Sequence, residues 1–234
     1  MADASRPFLV ISDLQLPFES KKALPFCTYL KKHYRIPDEN ILCVGDETDG
    51  YHASDYPKDP DAHVSPINEI QITRERIKQW ADVFPRIKIA TSNHGLRWIK
   101  KATNAQIPSE LLRSYGEIFH MPETWEFREE WRFSQGLNMP FRMIHGMGYS
   151  GINGHRNAAL DAQMSTVIGH LHSHAAVSWI QTAGGQRMWA VNSGCMIDIE
   201  AFAFRYEKYN RVKPQLGCVV IGNKGTMPFF VPLY

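Results

Sequence analysis

The chain has 234 residues, 44% of them hydrophobic and 21% charged, which is enough for one substantial core and typical of an ordinary globular protein. Its formal net charge of +2 excludes nucleic-acid binding driven by overall charge, so any such affinity must come from a local patch or a bound metal. No apolar run approaches the ~20 residues of a membrane span, and the first residues lack a secretory signal, so we expect a cytoplasmic protein without a membrane partner. The four scattered cysteines do not form a disulfide or zinc framework, and the oligomeric state stays open.

The first half of the chain alternates apolar runs with helical patterns. Runs at 8–11, 41–44 and 86–91 have the continuous hydrophobicity of buried parallel strands. A helix is predicted over 20–33, and a second begins where Ser65 can serve as N-cap with Pro66 at the first helical position, and ends before Pro85. Polar residues of the metal-ligand type follow all three strands.

The second half is richer in predicted strands. A helix is expected over 109–118, a short hairpin over 125–133, a strand over 141–144, a helix over 154–164 and a strand over 165–168. Further strands are predicted at 176–182, 188–191, 217–221 and 226–231. Because no repeat or linker interrupts the pattern, we predict one α/β domain over 1–234, with an insert around 96–140.

A histidine cluster follows the apolar run at 165–168. If the chain stays extended, His170 and His172 leave the strand on the same side, because side chains in extended chain alternate. Neutral imidazole is the commonest protein ligand for transition metals. On its own, however, a histidine-rich turn is equally consistent with a solvated loop.

The side chains that follow the predicted strands form a chemically coherent set. Two carboxylates, one amide and three imidazoles suit a pair of divalent cations with mixed oxygen and nitrogen ligands. Taken singly, either aspartate could cap a helix and any one histidine could be a core residue. The set is Asp13, Asp46, Asn93, His145, His170 and His172.

Five motifs in this order resemble the calcineurin-like metallophosphoesterases. The family pattern is D-x-H, G-D-x-x-D, G-N-H-E or G-N-H-D, H-G and G-H-x-H. This sequence has D-L-Q at 13–15, G-D-E-T-D at 45–49, S-N-H-G at 92–95, H-G at 145–146 and G-H-L-H at 169–172. The resemblance spans most of the chain and implies a two-sheet β-sandwich flanked by helices, in four α/β/β/α layers.

The resemblance also implies a site with two divalent metal ions. Asp46 would bridge the ions, Asp13 and His172 would hold one, and Asn93, His145 and His170 would hold the other. Manganese is the first expectation, with magnesium, iron, zinc or nickel as alternatives. His94 would be the catalytic residue that protonates the leaving group or stabilises its charge, and Asp49 would orient the site.

Two departures from the family pattern carry hypotheses. Gln15 replaces a metal-binding histidine, and because an amide is a poorer ligand than imidazole we expect the ion on the Asp13 side to bind more weakly and to be a harder ion. The alternative is that Gln15 only supports the ligands and both sites fill normally. Gly95 lacks the carboxylate that would orient His94, so another acid must do so.

The implied activity is hydrolysis of a phosphodiester, in a nucleotide or a nucleic acid. This choice rests on an aromatic and basic segment that includes Arg97, Trp125 and Trp131, and on the lack of an obvious arginine cluster for phosphate. The same tryptophans could instead fill a core. A phosphomonoesterase or protein phosphatase, and an inactive binding module, are the alternatives. His155 and Arg156, at a predicted helix start, are weaker candidates for substrate contact.

Overall fold

The computed structural model describes residues 2–59, 62, 64–201, 203–204 and 211–234, and it shows an α/β protein with two mixed sheets. The first sheet has six strands in the order β11-β10-β1-β2-β3-β4, in which β1 to β4 are mutually parallel. Both β10 and β11 run antiparallel to their neighbours. The strands are β1 (Phe8–Ile11), β2 (Ile41–Cys43), β3 (Ile87–Ala90), β4 (Trp125–Arg128), β10 (Gly217–Gly222) and β11 (Met227–Pro232).

The second sheet has five strands in the order β5-β6-β7-β9-β8. Its centre is parallel, because β7 pairs in parallel with both β6 and β9, while β5 and β8 form antiparallel edges. The strands are β5 (Glu130–Phe133), β6 (Phe141–Ile144), β7 (Ser165–Ile168), β8 (Ala176–Gln181) and β9 (Arg187–Asn192). In the described residues the α-helices are α1 (Ala23–His33), α2 (Pro66–Val83), α3 (Arg97–Asn104), α4 (Tyr115–Phe119) and α5 (Gly154–Ala162).

Strand β1 shows how the two sheets and the helices are arranged. Leu9 and Ile11 face a core shared with α1, α2 and α4, whereas Phe8 and Val10 face a second core built from both sheets. Both faces of the strand are therefore covered, which explains why it is a continuous apolar run. A smaller cluster joins α5 to the outer face of the second sheet.

The cap of α2 is confirmed, because Ser65 accepts a hydrogen bond from the backbone N–H of Asn68 and Pro66 is the first helical residue. The prediction of one continuous helix over 109–118 is wrong. The chain there forms a short 3₁₀ turn, Ser109–Leu111, and then α4, whose N-cap Ser114 exchanges capping-box hydrogen bonds with Glu117. The sequence predicts some helix between residues 96 and 121 but does not give the bounds of α3.

The prediction of a hairpin over 125–133 is also wrong. Strand β4 joins the first sheet beside β3, and β5 joins the second sheet beside β6, so the chain crosses between sheets at residue 129. Trp125 is buried in the helix-covered core and Trp131 in the core between the sheets. Each indole N–H donates to a backbone carbonyl, of Phe84 and of Ile89 respectively, so both tryptophans have structural roles.

Among the described helices, none combines the length and the hydrophobicity that a membrane crossing needs.

Candidate metal centre

The predicted ligands lie at the carboxyl ends of the parallel strands of both sheets. In the first sheet, the parallel strands β1, β2 and β3 bring Asp13, Asp46 and Asn93 to one edge. In the second, the parallel strands β6 and β7 end at His145 and at the histidine cluster. Open α/β sheets place ligands in this position. The topology therefore brings residues more than 150 positions apart in the sequence into one site.

Two groups of side chains in the site are arranged so that each could hold a metal ion. One comprises Asp46, His145 and His170, and the other comprises Asp13, Asp46 and His172. Within each group the potential ligand atoms all lie within 4.8 Å of one another. Asp46 belongs to both groups, as the bridging position that the resemblance implies for it would require.

Several electron-pair donors converge around His145. Its Nδ1–H donates to the carbonyl of Val44 over 2.9 Å, which leaves Nε2 facing Asn93 Oδ1 at 2.9 Å and Asp46 Oδ1 at 3.4 Å. When the imidazole is neutral, His145 Nε2, Asn93 Oδ1 and Asp46 Oδ1 are all hydrogen-bond acceptors, and no proton is available to any of them from the other two. Burial opposes that charge, but Asp46 raises the pKa of His145 to about 9. A bound cation could satisfy the same three atoms.

Asp46 and His170 show the electrostatic effects of this crowding. Burial alone would raise the pKa of Asp46, but the nearby imidazoles of His145 and His94 hold it well below its usual value. The pKa of His170 is lowered as well, because burial and the charge of His145 both disfavour its protonated form. The centre therefore favours an ionised carboxylate beside a neutral imidazole, which are the forms that bind metals.

On the other side of the site, Gln15 lies beside Asp46 and His172, which belong to the second group of potential ligands. Its amide Nε2 lies 3.2 Å from His172 Nε2 and 3.5 Å from Asp46 Oδ2, while its Oε1 is buried without a hydrogen-bond partner. Asp13 Oδ1 is likewise buried without a partner, and Asp13 Oδ2 lies 3.2 Å from His172 Nε2. Rotation of the amide by 180° would turn its oxygen towards the other ligands. The structure thus places Gln15 beside Asp46 and His172.

The histidine cluster reaches the site by a tight turn and not by extended chain. His170 has a φ of 69°, and Leu171 N donates to Gly169 O, so the expectation of strand-like alternation is wrong. The turn is held by Asp13 Oδ2, which accepts from His170 N over 2.9 Å, and by Asn192, whose amide donates to Leu171 O. Both histidines still line the same cavity.

Gly169 allows this turn to approach the first strand. A Cβ at this position would lie 2.2 Å from Asp13 Oδ1 and 2.5 Å from Val44 Cγ2, far inside van der Waals contact. No larger residue could therefore occupy position 169 with Asp13 in its present place.

Asp49 is the acid that orients His94. The Nδ1–H of His94 donates to Asp49 Oδ1 over 2.8 Å, and its backbone N–H donates to Asp46 Oδ1 over 3.1 Å. His94 Nε2 lies 3.8 Å from Asp46 Oδ2, beside the shared carboxylate. Position 95 has no carboxylate to orient His94. Asp49, which precedes His94 by 45 residues, orients it instead.

The space beside Gly95 is filled by a second buried carboxylate, that of Glu47. A Cβ at Gly95 would lie 3.2 Å from Glu47 Oε1 and 3.3 Å from the hydroxyl of Tyr115, which donates to that carboxylate. Burial raises the pKa of Glu47 to about 7. Ser92, the other departure in this motif, accepts a hydrogen bond from Asp46 N over 2.8 Å and so supports the bridging residue.

A cavity of about 750 Å³ opens in front of these groups. Asp46, Asn93, His94 and the histidine cluster line one part of it. Other lining residues are the cations Lys58 and Arg97 and the aromatic residues Tyr51, Tyr56 and Phe204. Small-molecule sites usually measure 300–1,000 Å³, so the cavity is large enough for an organic substrate.

No model of a known protein family matches the chain, and no curated protein is significantly similar to it. The chemistry of the site therefore has to be inferred from its own residues.

Sequence reasoning missed Lys58, and it named Arg97 as part of an aromatic and basic segment without placing it beside His94. Arg97 follows His94 by three residues at the start of a helix, so the spacing could have placed it beside the site. No sequence signal placed Lys58, because it belongs to a loop that returns to the cavity only in the folded chain.

Two weaker candidates lie elsewhere. Neither His155 nor Arg156 is among the described residues that line the cavity. His155 is buried in α5, where its Nε2 lies 2.8 Å from Ser178 Oγ on β8. This contact gives His155 a role in packing α5 on the second sheet.

Proposed function

We propose that this chain is a metal-dependent hydrolase of phosphate esters that uses two divalent ions. The observation that carries the proposal is the position of Asp46, a buried carboxylate common to two groups of potential ligands. Pairs of ions 3.5–4 Å apart that share ligands are typical of phosphoesterases, nucleases and aminopeptidases. The ordered motifs at 13–15, 45–49, 92–95, 145–146 and 169–172 favour the first of these and a metallophosphoesterase-like fold.

The donor set fits a pair of ions. Asp13 Oδ1 and Gln15 Oε1 are buried without hydrogen-bond partners, and such atoms cost about 1–3 kcal/mol each unless something satisfies them. His145 Nε2 faces two acceptor oxygens. Two carboxylates with three imidazoles and an amide oxygen suit manganese, iron or zinc better than calcium.

The residues of the chain divide the work of hydrolysis between them. When bound, the ions supply an activated water at neutral pH and positive charge for the phosphate oxygens. His94 lies beside the shared carboxylate, where it could act on the leaving group, and Asp49 fixes its ring. The site needs no serine or cysteine nucleophile.

The preference for a diester needs a different basis from the one in the sequence. Trp125 and Trp131 are buried, so they do not form a base-stacking surface, and Arg97 and Lys58 do line the cavity. The cavity has a volume of about 750 Å³ and is also lined by Tyr51, Tyr56 and Phe204, whose rings offer apolar surface to an organic group attached to the phosphate. We therefore keep a phosphodiester, such as one in a nucleotide, as the proposed substrate.

Purified protein loaded with manganese should be assayed on bis(p-nitrophenyl) phosphate and on p-nitrophenyl phosphate, with its metal content measured. Faster turnover of the diester supports the proposal, and turnover of the monoester alone would make the chain a phosphomonoesterase. The amide at Gln15 favours one further function, an inactive binding module. Full metal occupancy without turnover of either ester would support that module and refute the hydrolase.

A further inference from the structure

Arg97 makes more contacts with the centre than an ion pair requires. Its Nη1 donates to the backbone carbonyl of Asp49 over 2.9 Å and to Asp49 Oδ1 over 3.2 Å. Its Nη2 lies 2.8 Å from His94 Nε2. The guanidinium group is thus held by Asp49 through one nitrogen and reaches the candidate catalytic imidazole through the other.

The protons at His94 follow from its two partners. A carboxylate only accepts, so the Nδ1 of His94 carries the hydrogen that is shared with Asp49. Nε2 then has a lone pair, which accepts from Arg97 Nη2–H. In this arrangement Arg97 covers the nitrogen of His94 that lies nearest to Asp46 Oδ2.

An anion is a stronger partner than imidazole for the exposed edge of a guanidinium group. A phosphate oxygen carries negative charge and can pair with the guanidinium in planar, bidentate geometry, whereas a neutral imidazole offers a single lone pair. Arg97 lines the cavity and its side chain is 18% exposed, so a ligand can reach it without displacing the contacts that Asp49 makes. A phosphate oxygen that took Nη2–H would also release Nε2 of His94.

Lys58 adds a second positive charge to the same wall of the cavity. Its Nζ donates to Ser54 O over 2.7 Å and lies 5.1 Å from the ring centroid of Tyr51. It forms no ion pair with any carboxylate in the described part of the chain. Burial and the charges of Arg97 and Lys101 lower the pKa of Lys58. This wall is thus cationic, in contrast to the carboxylates beside it.

We propose that Arg97 is a specificity-determining residue that binds a non-bridging oxygen of the substrate phosphate, in exchange for its contact with His94 Nε2, and that Lys58 strengthens this anion subsite. This inference rests on the proposed function for the identity of the substrate. The phosphate affinity of the subsite can be measured without catalysis.

The test is titration calorimetry of inorganic phosphate into the metal-loaded protein. Arg97→Gln removes the charge and should weaken phosphate binding about 10- to 100-fold. Arg97→Lys keeps the charge but not the planar fork, so it should recover part of the affinity. Lys58→Gln should cost about two- to fivefold. The matched control is Lys100→Gln, which removes an exposed cation of the same helix that does not line the cavity, and it should leave affinity unchanged.

The outcomes separate this inference from the proposed function. Unchanged phosphate affinity in Arg97→Gln, or loss of metal from that variant, would overturn the role of Arg97. A fall in kcat with unchanged inhibition by phosphate would also overturn it, because Arg97 would then act only through Asp49 and His94. If the wild-type protein binds phosphate through Arg97 but hydrolyses no ester, the subsite stands and the hydrolase does not.

Discussion

Replacing Gly169 with alanine tests whether the close approach of two chain segments builds the metal centre. The new Cβ would lie 2.2 Å from Asp13 Oδ1, whereas ordinary contact begins at 3.4 Å, so the two must separate by about 1.2 Å. Metal–ligand distances tolerate shifts of only about 0.2 Å. The φ of Gly169 is not in the left-handed region, so steric displacement is the main effect expected of the substitution.

The expected effect has two parts. Overpacking of a buried contact costs about 1–3 kcal/mol, which for a domain of this size lowers the Tm of the metal-free protein by about 2–12 °C. The affinity of the ion held by Asp13 and His172 should fall by at least about tenfold, as expected for disturbed ligand geometry. The ion at His145 and His170 should be affected less, since only Asp46 is common to both groups.

Differential scanning calorimetry and metal titration, each with and without chelator, measure the two parts separately. Gly116→Ala is the matched control, because a Cβ there meets nothing within 4 Å and alanine favours the helix α4. If Gly169→Ala binds two ions as tightly as the wild type, the close approach of Gly169 and Asp13 does not build a metal site and the reasoning is wrong.

Three further predictions address other parts of the site. Gln15→His should raise the affinity for the ion beside Asp13 and His172 about tenfold or more, measured as metal content during dialysis. Equal retention of two ions by the wild type would contradict a weak site at Gln15. His94→Ala should lower turnover about 100- to 10,000-fold with unchanged metal content, and release of metal would mean that His94 is a ligand. In chelator-treated protein, His145 has a pKa of about 9, above the 6.5 of the unfolded chain. Protonated His145 therefore stabilises the folded protein fully below pH 6.5, and this contribution is lost as the pH rises through 9. The free energy of unfolding should fall by about 3 kcal/mol over that range in denaturant titrations. An unchanged free energy would show that His145 is neutral when the metal is absent.

Local patterns in the sequence predict those parts of the fold that depend on neighbouring residues. Continuous apolar runs located the strands around Leu9, Leu42 and Val167, because a strand covered on both faces has no polar positions. Ser65 and Pro66 located the start of α2, because capping involves neighbouring residues. The residues of the metal-ligand type could also be recognised in the sequence, because each of them closely follows a predicted strand.

Long-range packing sets which sheet each strand joins and which carboxylate accepts the hydrogen bond from His94. The pattern around Trp125 and Trp131 is the same for a hairpin as for two strands in different sheets, because burial in either core requires the same residue types. The pairing of Asp49 with His94, the filling of the space beside Gly95 by Glu47 and the approach of Lys58 to the cavity all join residues from separate loops. Local sequence carries no information about such contacts, since they arise when the sheets bring the loop ends together.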